Sequence, residues 1–235
     1  MGKRRTLLIV TACGGLAIAL VVLLAHANEP RYNGRPLSNW VHAYYKYIRH
    51  QDSPEYTNAR EAIRAIGTNA IPFLLKWIQQ EPPSWQGTAY RKLPDFIKYT
   101  APVSLIIDGP RYETAQAAML AFHALGTNAV PAIPDLVTLM KGKTNHETVN
   151  RSIIAISYVG APALPHMATA LSDTNQTRRI LIILKLREMA YHVGTNACLP
   201  PLRAALHDPD PMVRRSAAQE LHELAPDLFT NTPSQ

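Results

Sequence analysis

The chain has 235 residues, enough for one large domain or two small ones. It carries 24 Lys and Arg against 17 Asp and Glu, a net charge of +7, and its 47% of hydrophobic residues exclude a disordered chain. Two cysteines exclude a disulfide scaffold and a Cys-rich zinc module. The composition is unusual in having 19 prolines against 11 glycines, because proline interrupts helix interiors.

The first 27 residues are predicted to direct the chain to a membrane. A basic cluster at residues 3–5 precedes an uncharged apolar segment at 7–25, whose 19 residues match a hydrocarbon core of about 30 Å. The basic flank is expected to stay in the cytoplasm, which places the rest of the chain on the periplasmic side. The length favours an uncleaved anchor. The alternative is a signal peptide cleaved after Ala27, at the site Ala25-His26-Ala27, and a secreted protein.

The leader also carries much of the apparent basicity. Three of the seven excess positive charges lie in residues 3–5, and residues 28–235 carry only +4. Nucleic acid is therefore not the expected partner. Cys198 is the one cysteine of the exported part, so an internal disulfide is excluded there, and its apolar context predicts burial.

Residues 28–54 are predicted to form a linker and a capping helix. Ser38 is placed to cap a helix that begins at Trp40 and ends near His50. Leu37 and Trp40 are expected to cover the exposed end of the fold that follows. Tyr44 shares a face of this helix with other apolar residues and is expected in the core.

A four-residue sequence recurs along the chain and identifies internal repeats. Gly-Thr-Asn-Ala occurs at residues 67–70, 126–129 and 194–197, and a degenerate copy, Gly-Ala-Pro-Ala, occurs at 160–163. The glycines are separated by 59, 34 and 34 residues. The later copies therefore share one period, and the first interval holds about 25 additional residues.

The residues before each glycine form an apolar stripe with helical spacing. Ahead of Gly67, the stripe falls at i, i+3, i+4 and i+7. Its members in the four copies are Ala59, Ala62, Ile63 and Ile66; Ala118, Ala121, Phe122 and Leu125; Ser152, Ala155, Ile156 and Val159; and Leu186, Met189, Ala190 and Val193. A fifth copy has Glu220 where a small residue is expected. The small residues predict helices that pack closely.

The positions around each glycine predict a tight turn between two helices. The glycines expected to end a helix in the left-handed conformation are Gly67, Gly126, Gly160 and Gly194. The asparagines expected to cap the next helix are Asn69, Asn128 and Asn196. The prolines expected in its first turn, five residues after a glycine, are Pro72, Pro131 and Pro165. Each unit therefore consists of a helix, a tight turn and a second helix.

Residues 81–110 interrupt the repeat and are predicted to form an insertion. The candidates for partner contact within it are Trp85, Tyr90, Arg91, Lys92, Lys98 and Tyr99. Trp, Tyr and Arg are favoured where proteins bind one another, and aromatic residues interleaved with basic ones also suit a polysaccharide or a nucleic-acid strand. A third interpretation is that the insertion packs along the repeats and buries its own aromatic residues.

The sequence offers no candidate catalytic, cofactor or metal site. His146-Glu147 lacks the second histidine of a zincin helix, and no pair of His or Cys has zinc-finger spacing. A Gly-x-Ser-x-Gly nucleophile turn and a glycine-rich phosphate loop are also absent from the sequence. His123 is expected to be a partly buried polar neighbour of the stripe, and Arg178-Arg179 a solvated helix start.

Helix pairs that repeat at 34 or more residues with Gly-x-x-Ala-x-Pro at the turn resemble HEAT repeats. Residues 206–218, Leu-His-Asp-Pro-Asp-Pro-Met-Val-Arg-Arg-Ser-Ala-Ala, are similar to the Leu-x-Asp-x-Asp-x-x-Val-Arg-x-x-Ala-Ala core of bacterial HEAT-like repeats. The resemblance covers about residues 55–225. It implies an all-α fold, an α-solenoid of about five helix pairs over residues 55–235, in which Arg214 bridges neighbouring units.

Residues 32–40, Tyr-Asn-Gly-Arg-Pro-Leu-Ser-Asn-Trp, resemble a motif that precedes the repeats of exported bacterial HEAT proteins. The two resemblances together imply a membrane-tethered, non-catalytic scaffold whose concave face binds another protein. Two alternatives stay open. One is a binder of polysaccharide or nucleic acid through the insertion. The other is an enzyme, since some HEAT-like relatives are bilin lyases or DNA glycosylases.

Overall fold

A computed structural model describes residues 28–81, 110–142 and 145–226. Within these ranges the chain is mostly α-helical, in agreement with an all-α repeat fold. None of the helices in these ranges is long and apolar enough to cross a membrane. The predicted anchor at 7–25, with its alternative cleavage site, and residues 82–109 of the insertion lie outside the described residues.

A short β-hairpin precedes the helices, a feature that the sequence analysis does not predict. Strands β1 (Arg31–Tyr32) and β2 (Arg35–Pro36) pair antiparallel across Asn33 and Gly34. Both turn residues have positive φ, 48° and 75°, the combination for which Asn-Gly is preferred in two-residue hairpin turns. With two residues in each strand, the hairpin is too short to show an alternating pattern.

The helices form one capping helix followed by successive pairs. The capping helix is α1 (Leu37–Tyr47), and the pairs are α2 (Pro54–Ile66) with α3 (Ile71–Trp77), α4 (Pro110–Leu125) with α5 (Ile133–Lys141), α6 (His146–Ser157) with α7 (Leu164–Ala170), and α8 (Gln176–Val193) with α9 (Thr195–Ala205). Helix α10 (Pro211–Leu224) is the first helix of a fifth unit. The described residues thus contain four pairs and the first half of a fifth.

Helix α1 covers the first end of the stack. Its Leu37 and Trp40 are buried, and α1 packs against both α2 and α4. The predicted start at Trp40 and the predicted Ser38 cap are both wrong. The helix begins at Leu37, and the Ser38 N–H donates to the Glu29 carboxylate at 3.0 Å, so that Glu29 satisfies the helix start from outside.

The first helices of the units stack on one another in the order α2, α4, α6, α8 and α10. Their small stripe residues are at most 3% exposed: Ala59, Ala62, Ala118, Ala121, Ser152, Ala155, Ala190 and Ala217. Because such side chains project little beyond the backbone, adjacent axes can approach to the short end of the usual 8–10 Å range. Each second helix packs against the first helix of the next unit, as α5 does on α6. The result is a helical solenoid.

The turns hold their glycines in a conformation that other residues rarely adopt. Gly67 ends α2 with φ 59° and ψ −135°, and Gly160, three residues after the end of α6, has φ 86° and ψ −147°. Gly126 and Gly194 also have positive φ, 55° and 102°. The ψ values place Gly67, Gly160 and Gly194, whose ψ is 135°, outside the predicted left-handed helical region, in backbone conformations that residues with a Cβ rarely adopt.

The asparagines after these glycines do not cap the next helix, so that prediction is wrong. Residues Gly67–Ala70 and Gly126–Ala132 form 3₁₀ helices that contain the exposed Asn69 and Asn128, and α3 and α5 begin without a side-chain cap. Asn196 lies within the first turn of α9, which also has no side-chain cap. For Asn69 and Asn128 the physical reason is that the 3₁₀ turn leads directly into the α-helix and leaves no extended cap residue. For Asn196 it is that α9 begins at Thr195, one residue earlier, with Gly194 at the cap position.

The recurring prolines occupy two kinds of position. Pro72 and Pro165 lie in the first turn of α3 and α7. Pro131 lies inside the 3₁₀ helix instead, and Pro134 holds the first-turn position of α5. Proline is tolerated in a first turn because the backbone N–H that it lacks has no partner there.

Arg179 joins α8 to the turn that precedes α10. Its Nε and Nη2 donate to the two Asp208 oxygens at 2.8 and 2.9 Å, and its Nη1 donates to the Asp173 carbonyl at 2.8 Å. Arg179 is 8% exposed, so the prediction of a solvated helix start is wrong for this residue. Arg214, in contrast, donates to the carbonyls of Asp208 and Pro209 in its own turn and does not bridge neighbouring units.

Arg151 on α6 makes a second buried connection. It is 1% exposed and donates to the Gln80 carbonyl and the Glu81 carboxylate, both at 3.0 Å. Thr148 and Asn145 also donate to that carboxylate. Glu81, the residue at which the predicted insertion begins, is therefore fixed against the start of α6.

Glu220, the irregular residue of the fifth stripe, is buried against an arginine of the neighbouring helix. It is 4% exposed and lies 2.6 Å from Nε of Arg187 on α8. Three of the other units have alanine at this position and the fourth has Met189, whereas here helix α8 supplies a guanidinium beside the carboxylate. The ion pair compensates for the buried carboxylate, since burial of an unpaired charge is costly.

The glycine conformation yields a first prediction. Gly67→Ala is expected to lower the free energy of unfolding by about 1–3 kcal/mol, because an alanine Cβ is strained at φ 59°. The matched control is Gly142→Ala, because Gly142 ends α5 at φ −63° and tolerates a Cβ. Thermal unfolding of the full chain in detergent, followed by circular dichroism, measures both. Equal losses of stability in the two variants would contradict the strain proposed for a Cβ at Gly67.

The Arg179–Asp208 pair yields a second prediction. Burial alone raises the pKa of Asp208, but the hydrogen bonds from Arg179 and from the Asp210 N–H, with the charges of Arg179 and Arg214, hold it below its usual value. A carboxyl whose pKa is lower in the folded state contributes stability at neutral pH and loses it as the pH falls through that folded pKa.

Asp208→Asn is therefore expected to lower the free energy of unfolding by about 2 kcal/mol at pH 7. The variant is also expected to lose less stability than the parent chain when the pH falls below about 4. Melting temperatures measured from pH 7 to pH 3 provide the test. Asp52→Asn is the control, because Asp52 is exposed and makes no ion pair with the residues that the structure describes. If the Asp208→Asn variant loses as much stability in acid as the parent chain, Asp208 does not cause the acid sensitivity and the prediction is refuted.

Candidate functional site

Side chains from the first helices of four consecutive units line one cleft of about 260 Å³. We call it the first-helix cleft; its residues are Arg60, Arg64, His123, Ser157, Tyr158, Gly160, Glu188, Met189, His192 and Val193. Helices α2 and α8 stand three places apart, so a flat layer would separate their axes by roughly 24–30 Å. Because both contribute to one cleft, we infer that the layer curves and that the cleft lies on its concave side.

Two arginines of α2 supply positive charge to the cleft. Arg64 uses its Nε to donate to the Ala124 carbonyl at 2.9 Å, which leaves its terminal nitrogens for other partners. Arg60 Nε is buried, and within the described part of the chain it has no hydrogen-bond partner. Glu188, the only carboxylate that the described residues contribute to the lining, is bound by Lys185 at 2.7 Å. The cleft therefore presents a net positive charge.

His123 connects the cleft to a buried pair of tyrosines. Its Nδ1 lies 2.7 Å from the Tyr44 hydroxyl, which lies 3.4 Å from the Tyr56 hydroxyl. Burial lowers the pKa of His123, and the charges of Arg60, His192 and Arg64 lower it further. The imidazole is therefore neutral at pH 7. Burial and the Tyr56 hydroxyl raise the pKa of Tyr44, so this phenol also stays neutral.

Tyr158 forms another wall of the cleft. Its ring meets that of His123 edge-on, with centroids 5.0 Å apart. Burial, and next the negative charge of Glu188, raise the pKa of Tyr158 to about 12. At neutral pH its hydroxyl is therefore a protonated group that can donate a hydrogen bond.

The second helices form a different surface with two further grooves. One groove, of about 500 Å³, lies between α3 and α5 and includes Leu75 and Leu139. The other, of about 210 Å³, lies between α5 and α7 over Ile153 and Ile182. Neither groove contains an arginine, whereas the first-helix cleft contains two. The first-helix cleft is therefore the better candidate for a binding site, because it contains two arginines.

The structure does not describe the residues that sequence analysis singled out for partner contact. Trp85, Tyr90, Arg91, Lys92, Lys98 and Tyr99 all lie outside the described residues. Cys198 is fully buried, and burial raises the pKa of its thiol. In residues 28–81, 110–142 and 145–226, no group of three or more His, Cys, Asp or Glu side chains could hold a metal ion.

Sequence analysis missed the cleft, although the repeat register contains a signal for it. Arg64, His123 and Ser157 each stand three residues before a repeated glycine, at Gly67, Gly126 and Gly160. Equivalent positions in stacked units lie side by side, so polar residues there form a row. Arg60, Glu188 and His192 have no such common register, and only the folded chain brings them to the row.

Comparison with known families supports a HEAT-repeat protein. A family model described as HEAT repeat matches residues 198–228. The matched segment begins in α9 and includes all of α10, the second helix of one unit and the first helix of the next. It contains the segment whose sequence resembles HEAT repeats most. A search of curated proteins found no match.

Proposed function

We propose that this chain is a non-catalytic HEAT-repeat scaffold that binds a protein partner outside the cytoplasm and is tethered to a membrane by residues 7–25. The family match supports this proposal, because HEAT repeats generally mediate protein–protein interaction. The partner is proposed to bind on the concave side, at the first-helix cleft. The observation that carries this proposal is the convergence of four first helices on that cleft.

The chemistry of the cleft favours binding over catalysis. Its one carboxylate is engaged by Lys185, and its half-buried histidine is hydrogen-bonded to a buried tyrosine. Arginine and tyrosine, which the cleft does provide, are the residue types that dominate protein interfaces. Tyr191, which directly precedes the cleft residue His192 on α8, is 68% exposed and offers a large aromatic surface for contact.

The proposed tether rests on the leader sequence. The basic cluster at residues 3–5 and the uncharged segment 7–25 have the order and length of a single-pass anchor whose C-terminal part is exported. Binding of polysaccharide or nucleic acid through the insertion stays a prediction, because its residues 82–109 lie outside the described part.

Site-specific photo-crosslinking tests the partner site. A photoreactive residue at Tyr191 of the full chain, in its native membranes, is expected to give one defined crosslinked species. The same residue at Met212, which is 51% exposed on α10 outside the cleft lining, is the control and is expected to give none. Equal crosslinking at the two positions, or none at Tyr191, would contradict the proposal.

N-terminal sequencing and alkaline extraction test the tether. The purified protein is expected to retain residues 3–5 and to stay with the membrane pellet at high pH, because an uncleaved apolar span of 19 residues inserts stably. A mature protein that begins at Asn28 would show cleavage after Ala27 and would replace the tethered form with the secreted one.

A further inference from the structure

We propose that the first-helix cleft binds a carboxylate side chain from an acidic segment of the partner, with Arg60 as its main ligand. This inference rests on the proposed function, since it takes the partner to be a protein. The juxtaposition that carries it is an unpaired guanidinium beside a second arginine, a phenol and two imidazoles, all lining one cleft.

Arg60 is distinguished from the other arginines with buried nitrogens. Arg151 and Arg179 are bound to Glu81 and Asp208. Arg178 and Arg187 also have a buried Nε without a hydrogen bond, but each is ion-paired, with Asp173 and with Glu220 and Glu223.

Among the residues that the structure describes, Arg60 alone combines a buried, unbonded Nε with no acidic partner. Such a guanidinium carries a desolvation cost that an anionic ligand relieves. Its planar fork can also hold a carboxylate through two parallel hydrogen bonds.

The groups around Arg60 complete a site for an anion. Arg64 has terminal nitrogens available, because its one hydrogen bond in the described residues uses Nε. The Tyr158 hydroxyl is protonated at neutral pH and can donate. His123 is bonded through Nδ1 to Tyr44, and its Nε2 has no partner in the described part of the chain. Together these groups offer a ligand in the cleft several hydrogen-bond donors and few acceptors.

Glu188 reduces the attraction of the cleft for an anion without cancelling it. Its carboxylate lies in the same lining and repels an anion, although Lys185 at 2.7 Å offsets part of its charge. Because Arg60 and Arg64 together carry two positive charges, the cleft still attracts an anionic side chain. The cleft volume of about 260 Å³ accommodates one acidic side chain with its flanking backbone, not an extended strand.

The test is a titration of the full chain in detergent with a fluorescent hexaglutamate peptide, followed by anisotropy, with hexaglutamine as the uncharged control. Hexaglutamate is expected to bind and hexaglutamine not to bind. Arg60→Gln is expected to weaken binding at least ~10-fold, the usual effect of removing hydrogen bonds to a charged group. Arg203→Gln, which removes an exposed arginine of α9 outside the cleft, is expected to leave binding unchanged.

Arg60→Lys keeps the charge but removes the fork, and it is expected to weaken binding several-fold. This variant decides the question if Arg60→Gln does not fold, as judged by thermal unfolding. Equal losses in Arg60→Gln and Arg203→Gln would indicate general charge attraction and overturn the proposal. Displacement of hexaglutamate by inorganic phosphate at lower concentration than by acetate would overturn the choice of a carboxylate.

The outcomes separate this inference from the proposed function. If hexaglutamate does not bind while Tyr191 still crosslinks to one protein, the scaffold proposal stands and the carboxylate assignment fails. If neither experiment gives a signal, both fail.

Discussion

The close approach of the first helices is the constraint on which the rest of the structure depends. Small residues in each stripe, two in each of the first three helices and one each in α8 and α10, let the five first helices pack side by side. Larger residues at these positions would force the helices apart and weaken the packing. Because the layer stays tight and curved, groups on helices far apart in sequence reach a common cleft.

Charged groups distinguish units that are otherwise alike. Arg151 fixes Glu81 to α6, Arg179 fixes Asp208 to α8, and Arg187 compensates for the buried Glu220. Each pair joins two neighbouring segments of the solenoid and satisfies a charge that the fold has removed from water. The unpaired Arg60 stands out against this pattern, and it lies where the concave side is open.

The helix pairs could be predicted from the sequence because their signals are local. The stripe before Gly67 and the spacing of the glycines require only neighbouring residues to interpret. The Asn69 cap was wrong because a 3₁₀ turn with the same composition satisfies the backbone differently. Arg179 was misassigned because its partner lies 29 residues away, beyond any helical period.

The cleft could be predicted only in part for the same reason. Arg64 and His123 share a register position and were accessible to repeat alignment, whereas Arg60 and His192 are 132 positions apart and meet only through curvature. That curvature is the central claim, and a distance measurement tests it. Spin labels are placed at Arg64→Cys and His192→Cys in a full chain whose native Cys13 and Cys198 are replaced by alanine, and pulsed electron paramagnetic resonance measures their separation. A curved layer predicts a distance well below the ~24–30 Å of a flat one, and a distance of ~30 Å or more would contradict it.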